Sequence, residues 1–147
     1  MIKPVPKIEK ILKSYVKKGD KILDIGCGCA IYKDSTDGIY TGLDITDEDY
    51  SLGNPRKVDI LSSDDRIPVD DDFFDLIFAV STFYLIPYYS AALKEFYRVL
   101  KPGGRLILFD YNRKIQKFLE VKDNVKYPGW TQKELKNIVS TAGFREC

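Results

Sequence analysis

The feature that most constrains this chain is a short apolar run, Lys21 to Ile25, leading straight into Gly26-Cys27-Gly28. Twenty residues after Asp24 a second acid, Asp44, ends the next apolar run. A strand that ends in a glycine-rich turn lets a parallel α/β sheet bring its backbone close to a ligand, because glycine has no Cβ to collide with it. A carboxylate at the tip of the second strand can accept both hydroxyls of a ribose, and Ile45 beside it offers an apolar face to a base. The pattern describes a nucleoside site.

The rest of the chain supplies the sheet such a site needs. From Lys7 to Val16, residues Ile8, Ile11, Leu12 and Tyr15 recur at helical spacing after Pro6, and Gly19 closes the segment. Ile39 to Asp44 reads as a second strand and Lys57 to Ile60 as a third. Phe73 to Ser81 is an almost unbroken apolar run, the pattern of a central parallel strand buried on both faces. Ser90 can cap a helix whose face is Leu93, Phe96, Tyr97 and Leu100, stopped by Pro102-Gly103-Gly104. Arg105 to Tyr111 is then the next strand. Thr131-x-x-Glu134 is a capping-box signature, followed by the apolar face Leu135, Ile138, Val139 and Ala142 and by Gly143. Only Ala30 to Gly38 separates the glycine turn from the second strand, so any helix there spans about two turns at most. Strands alternating with helical segments predict an α/β fold, a parallel sheet covered by helices on both faces. Ligands then belong at the carboxyl ends of the strands: Gly26 to Ala30, Asp44-Ile45, Asp59-Ile60, Ser81 to Tyr84 and Tyr111-Asn112.

Composition narrows the chemistry. A chain of 147 residues with 44% hydrophobic side chains fits one domain, residues 1–147, with no separate substrate domain. The formal net charge of +1 argues against nucleic acid as a partner, since phosphate neutralisation shows as a basic excess. The run Asp70-Asp71-Asp72 reads as a solvated turn. The sequence holds no histidine, which removes the commonest general base and the commonest zinc ligand together. Cys27, Cys29 and Cys147 form no metal-ligand pattern, so no metal is expected, and they read as reduced thiols of a cytoplasmic protein. No signal peptide or membrane-spanning run is expected from the sequence.

These motifs, in this order, resemble the class I S-adenosylmethionine-dependent methyltransferases, in particular the small single-domain branch called type 11. The resemblance is carried by Leu23-Asp24-Ile25-Gly26-Cys27-Gly28, Thr41-Gly42-Leu43-Asp44 and Ile67-Pro68-Val69-Asp70-Asp71-Asp72-Phe73-Phe74-Asp75-Leu76-Ile77. It continues through Glu95-Phe96-Tyr97-Arg98-Val99-Leu100-Lys101-Pro102-Gly103-Gly104 to Ala142-Gly143-Phe144. It implies a Rossmann-like, mostly parallel sheet and S-adenosylmethionine as cofactor. It implies further that Asp24 and the backbone of Gly26, Cys27 and Gly28 lie at the methionine end, that Asp44 holds the ribose, and that Ile45 packs on adenine. Asp59 would accept from the adenine amino group with the Ile60 backbone beside it, or Asp64 or Asp65 would take that role. Val80 to Phe83, Ser81 included, would face the methionine moiety and the substrate.

The chain departs from the family pattern in two places. The third glycine of the turn is Ala30. The family's usual seven-stranded sheet continues beyond Ala142-Gly143-Phe144, so the last strands are expected to be absent here: either the chain is a minimal or truncated form, or a second copy or a partner chain covers the sheet edge. The expected function is methyl transfer to a small-molecule acceptor, with a non-catalytic cofactor-binding subunit as the alternative. A dinucleotide oxidoreductase also fits a glycine turn plus an acid, although Gly-x-Gly-x-Ala is not its usual fingerprint. Methyl transfer from a sulfonium needs no protonation of the leaving group, so a base is optional. Without histidine the candidates are Tyr84 and Tyr111. Ser81-Thr82-Phe83-Tyr84 stands where enzymes acting on amide or adenine amino groups carry an Asn- or Asp-Pro-Pro-aromatic tetrapeptide, which argues against those acceptors.

Overall fold

The computed structural model describes residues 3–44, 56–57, 66–110 and 130–145. Helix α1 runs Pro6–Tyr15, with proline in its first turn where its missing N–H costs nothing. Strand β1 follows at Lys21–Ile25, β2 at Ile39–Asp44 and β3 at Arg56–Lys57. Strand β4 is Phe74–Val80, α2 is Tyr89–Val99, β5 is Leu100–Phe109 and α3 is Gln132–Thr141. The described strands form one sheet in the order β3-β2-β1-β4-β5, and every pairing is parallel.

Strand alternation gives the sheet two apolar faces. On one, Leu23, Ile25, Leu43, Ile77 and Ala79 pack with Leu93, Phe96 and Val99 of α2 and with Leu135, Ile138 and Val139 of α3. On the other, Ile22, Leu76 and Phe78 pack with Leu12 and Ile8 of α1 and with Tyr32. Phe74, Ile77 and Phe78 are fully buried, as expected for the central strand of a sheet covered on both sides. Helix α3 begins in the expected capping box: the Thr131 hydroxyl accepts from the Glu134 N–H while the Glu134 carboxylate accepts from the Thr131 N–H. It ends in a Schellman motif, with the Gly143 N–H on the Ser140 carbonyl and the Phe144 N–H on the Val139 carbonyl.

Element boundaries differ from the sequence reading, most of all around α2 and β5. Helix α2 starts one residue before Ser90, its N-cap is Tyr88, and no side chain caps it. Leu100 leaves that helix and pairs with Phe74, after which the register jumps to Leu76 beside Arg105. The Lys101-Pro102-Gly103-Gly104 segment is therefore an irregularity inside β5 rather than a loop before it. Its ladder resumes at the predicted Arg105 because Pro102 has no N–H to give. Of the predicted third strand only Lys57 falls in β3, and Val58 to Ile60 lie outside the described residues. Between β1 and β2 a single 3-10 turn, Lys33–Ser35, replaces the short helix the spacing allowed.

Candidate functional site

The strand order runs outward from β1 to β2 and β3 on one side and to β4 and β5 on the other, so it reverses between β1 and β4, and the turns leaving their carboxyl ends are where a parallel sheet of this kind takes its ligand. The turn after β1 is pinned to β2, since the N–H groups of Gly26 and Cys27 both donate to the Leu43 carbonyl, at 2.7 and 3.0 Å. It is pressed equally close to the turn after β4. A Cβ on Gly26, whose φ is +67°, would lie 2.2 Å from Thr82 Cγ2, and the Thr82 hydroxyl sits 3.4 Å from the Gly26 carbonyl. Only glycine satisfies both conditions. Gly28, at φ +49°, is the opposite case: nothing among the described residues lies within 4 Å of where its Cβ would be, so none of them crowds the backbone there. Its N–H donates to Asp44 Oδ2 at 2.8 Å, which draws the β2-tip carboxylate against the turn. Ala30 and Ser81, one after β1 and one after β4, also hold positive φ, 51° and 54°. Non-glycine residues in that region cost on the order of 1 kcal/mol or more each, and such strain tends to gather at functional sites.

Beneath the turn lies an acid with little access to water. Asp24 is 2% exposed, and its Oδ2 accepts a 2.7 Å hydrogen bond from the Tyr40 hydroxyl. Burial pushes the Asp24 carboxyl up to about 7 against the opposing pull of the Tyr40 bond, and the charge of Asp44 adds to the rise. The same desolvation, reinforced by Asp24 and Asp44, pushes the Cys27 thiol up to about 12. Cys27 is thus a neutral space-filling group rather than a nucleophile. Burial and then the neighbouring Asp24 also raise the Tyr40 phenol well above its ordinary value, so it remains a donor at any working pH.

Asp24, Gly26, Cys27, Gly28, Asp44 and Ser81 are therefore brought together around the carboxyl ends of β1, β2 and β4. Tyr84 stands in the 3-10 turn Phe83–Leu85 after the β4 end, 9% exposed. Ile45, Asp59, Ile60 and Tyr111 lie outside the described residues. Among the aromatic residues that follow β4, Phe83 is core, and it joins Tyr89 and Trp130 in a cluster with a Tyr89–Trp130 ring separation of 4.8 Å. Tyr40 was not anticipated from sequence. Its signal was Gly42: a Cβ there would lie 2.7 Å from Cys27 Sγ and 3.2 Å from Tyr40 Cε1. A glycine beside Asp24 in the β1–β2 register is what lets both side chains lean over it.

This donor set fits S-adenosylmethionine. The backbone at Gly28, which no described residue crowds, suits the approach of a ligand, the Asp44 carboxylate suits vicinal hydroxyls, and a buried acid under the turn suits a positively charged methionine end. No group of three or more His, Cys, Asp or Glu among the described residues could hold a metal ion.

Comparison with known proteins agrees with this geometry. The family model described as "Methyltransferase domain" matches residues 23–108, more than half of the chain. The chain is 32% identical over 120 residues to a ubiquinone/menaquinone biosynthesis C-methyltransferase of Neisseria gonorrhoeae, covering 73% of this chain and 49% of that protein. It is 33% identical over 100 residues to a sterol 4-C-methyltransferase of Caenorhabditis elegans, covering 60% of this chain and 30% of that one. It thus spans about half the length, or less, of these relatives. Among solved structures, a SAM-dependent methyltransferase from Aquifex aeolicus superposes with a TM-score of 0.71 at 24% identity, over 93% of this chain and 79% of that one. The ordered motifs, the parallel sheet and the family match lead to one assignment: the chain belongs to the class I methyltransferases, the family whose cofactor is S-adenosylmethionine.

Proposed function

We propose that this protein transfers a methyl group from S-adenosylmethionine to a small, largely apolar acceptor. The observation that carries the reading is the meeting of the Gly28 N–H and the Asp44 carboxylate, 2.8 Å apart, in a backbone turn that no described residue crowds at Gly28. In this reading Asp44 takes the ribose hydroxyls, Ile45 packs on adenine, and Asp59 with Ile60 holds the adenine edge. Asp24 and the turn Gly26 to Gly28 take the methionine end, with Ser81 opposite. The cofactor, when bound, supplies an activated methyl on a sulfonium. The chain's own task is to fix that end of the site and bring an acceptor into line with it. Tyr84 and Tyr111 are the hydroxyls assigned to remove a proton from acceptors that need it.

The relatives support the acceptor class, for their names specify carbon methylation in quinone biosynthesis and on a sterol. Tyr89 and Trp130, half-buried against the core residue Phe83 just after β4, are the described aromatic residues of the same apolar character. We place the protein in the cytoplasm on the strength of its free thiols at Cys27 and Cys29. None of its described helices is long and apolar enough to cross a membrane.

The test is direct binding of S-adenosylmethionine and S-adenosylhomocysteine by calorimetry to the wild type and to Asp44→Ala. Removing the carboxylate is expected to weaken both ligands by at least tenfold, about 1.4 kcal/mol, while circular dichroism stays unchanged. Equal affinity in the two proteins removes Asp44 from the ribose site. No binding to the wild type removes the cofactor reading.

A further inference from the structure

Tyr40 lies on β2, in no motif that marks the family in this sequence, yet it makes the one hydrogen bond that the described residues give to the Asp24 carboxylate. That bond spans the β1–β2 pairing, and two local features make it possible. Gly42, opposite Asp24 in the register, lacks the Cβ that would hold the Tyr40 ring and the Cys27 thiol away. The phenol stays protonated because its own burial and the adjacent carboxylate both disfavour its anion, so it has a hydrogen to donate to the Asp24 carboxylate at any working pH. The bond uses Oδ2 and leaves Oδ1 for another partner.

Resting on the cofactor reading above, we propose that Tyr40 is a positioning residue for the cationic methionine end of the cofactor. By holding Asp24 Oδ2, it opposes protonation of the carboxylate and fixes it beneath the glycine turn, so that Oδ1 can meet a positive group. Binding of a cationic ligand is then linked to pH through Asp24. Among the described residues, the titratable groups that face it are Tyr40 and Asp44 of β2, Cys27 of the turn, and Tyr32 after it. β4 places Phe78 opposite it in the register, which carries no charge. Cys27 and Tyr32 are both raised by burial and stay neutral at and below pH 8. Asp24, raised to about 7, changes charge near neutrality, and the Tyr40 bond opposes its protonation.

The experiment measures dissociation constants by calorimetry from pH 6 to 9 for three probes on wild type, Tyr40→Phe and Asp24→Asn. S-adenosylmethionine carries a sulfonium and an ammonium, S-adenosylhomocysteine only the ammonium, and 5′-methylthioadenosine neither. In the wild type, affinity for the first two is expected to fall as pH drops through neutrality, while methylthioadenosine binding stays flat. Tyr40→Phe is expected to weaken the two cationic ligands about five- to tenfold at pH 7, to recover most of that loss by pH 9, and to leave methylthioadenosine unaffected. Asp24→Asn is expected to flatten the S-adenosylmethionine and S-adenosylhomocysteine profiles and to leave the methylthioadenosine profile flat. Unchanged methylthioadenosine affinity in Tyr40→Phe shows that the variant is folded and its adenosine site intact. A Tyr40→Phe variant whose pH profile for S-adenosylmethionine matches the wild type overturns the positioning role, as does an equal loss for all three probes. A wild type that binds none of them overturns the cofactor reading instead, so the two failures are told apart.

Discussion

Gly26 is the residue through which the site and the fold are most tightly joined, for its φ of +67° and its contact with Thr82 both exclude a side chain. Gly26→Ala would set a Cβ 2.2 Å from Thr82 Cγ2 and 2.8 Å from Thr82 Cβ, in a backbone region that alanine adopts at a cost. Overpacking and strain together are expected to destabilise the protein by about 2 to 4 kcal/mol in urea unfolding. Adding Thr82→Ala removes the two nearest atoms but neither the strain nor the 2.8 Å approach to Cβ, so the double variant should recover part of the loss and no more. Full recovery would mean the backbone conformation carries no cost. No recovery would mean Thr82 is not the obstacle. Gly42 is tied to the turn in a similar way, for a Cβ there would lie 2.7 Å from Cys27 Sγ, whose thiol burial keeps neutral.

At the scale of elements, α2 and α3 are held by different devices. Helix α3 relies on its capping box, and Thr131→Ala, which leaves the Glu134 N–H without its acceptor, is expected to cost about 1 kcal/mol by urea unfolding. Helix α2 has no side-chain cap but carries Arg98, which donates to Glu95 and Asp71 and to the carbonyls of Ile67 and Val69, while Glu95 accepts from the Ile67 N–H. One guanidinium thereby ties the segment entering β4 to the helix that leaves it. Arg98→Ala is expected to cost more than Thr131→Ala, about 2 to 4 kcal/mol, because it strands a partly buried Glu95 as well as two carbonyls. A smaller effect than that of the cap would show that water satisfies those groups. These elements also show what the sequence could and could not reveal. The β1, β2, β4 and α3 cores were legible because their apolar periodicity is set by burial, as Phe74 to Val80 shows. The start of α2 was not, because Ser90 offered a cap that the chain does not use. The entry to β5 was obscured by Pro102-Gly103-Gly104, which reads as a stop although Leu100 already pairs with Phe74. Of the site, the glycines and the two acids follow from local spacing, whereas the Tyr40 bond to Asp24 depends on cross-strand register, which no local pattern encodes.

For the whole molecule, the ionisable groups pull stability in opposite directions with pH. Burial opposes the charge on Asp75, yet bonds from Lys101 and the Lys21 N–H outweigh it and set its carboxyl below the usual range. Glu95 is likewise lowered, its burial outweighed by Arg98 and the Ile67 N–H. Stability from these two is present above the ordinary carboxylate range and is lost as pH falls through their depressed values. Asp24 acts with the other sign. Its folded-state value, about 7, lies above the ordinary 3.8, so the folded protein holds a proton that the unfolded chain has released. That contribution is complete below the ordinary value and disappears as pH rises through about 7. Each tenfold gain in proton affinity on folding is worth about 1.4 kcal/mol, so the contribution amounts to something on the order of 4 kcal/mol. The ligand-free protein is therefore expected to be most stable near pH 5 and to weaken toward pH 8, with the loss abolished in Asp24→Asn. A cationic cofactor over Asp24 prefers the ionised form, so its stabilising effect must be larger at pH 8 than at pH 5, the reverse of the ligand-free trend. Urea unfolding at the two pH values, with and without saturating S-adenosylmethionine, reads both slopes in one series. A ligand-free wild type with equal stability at pH 5 and 8 would show that Asp24 is already ionised across that range. A cofactor increment that fails to grow with pH would separate that acid from the cation it is proposed to hold.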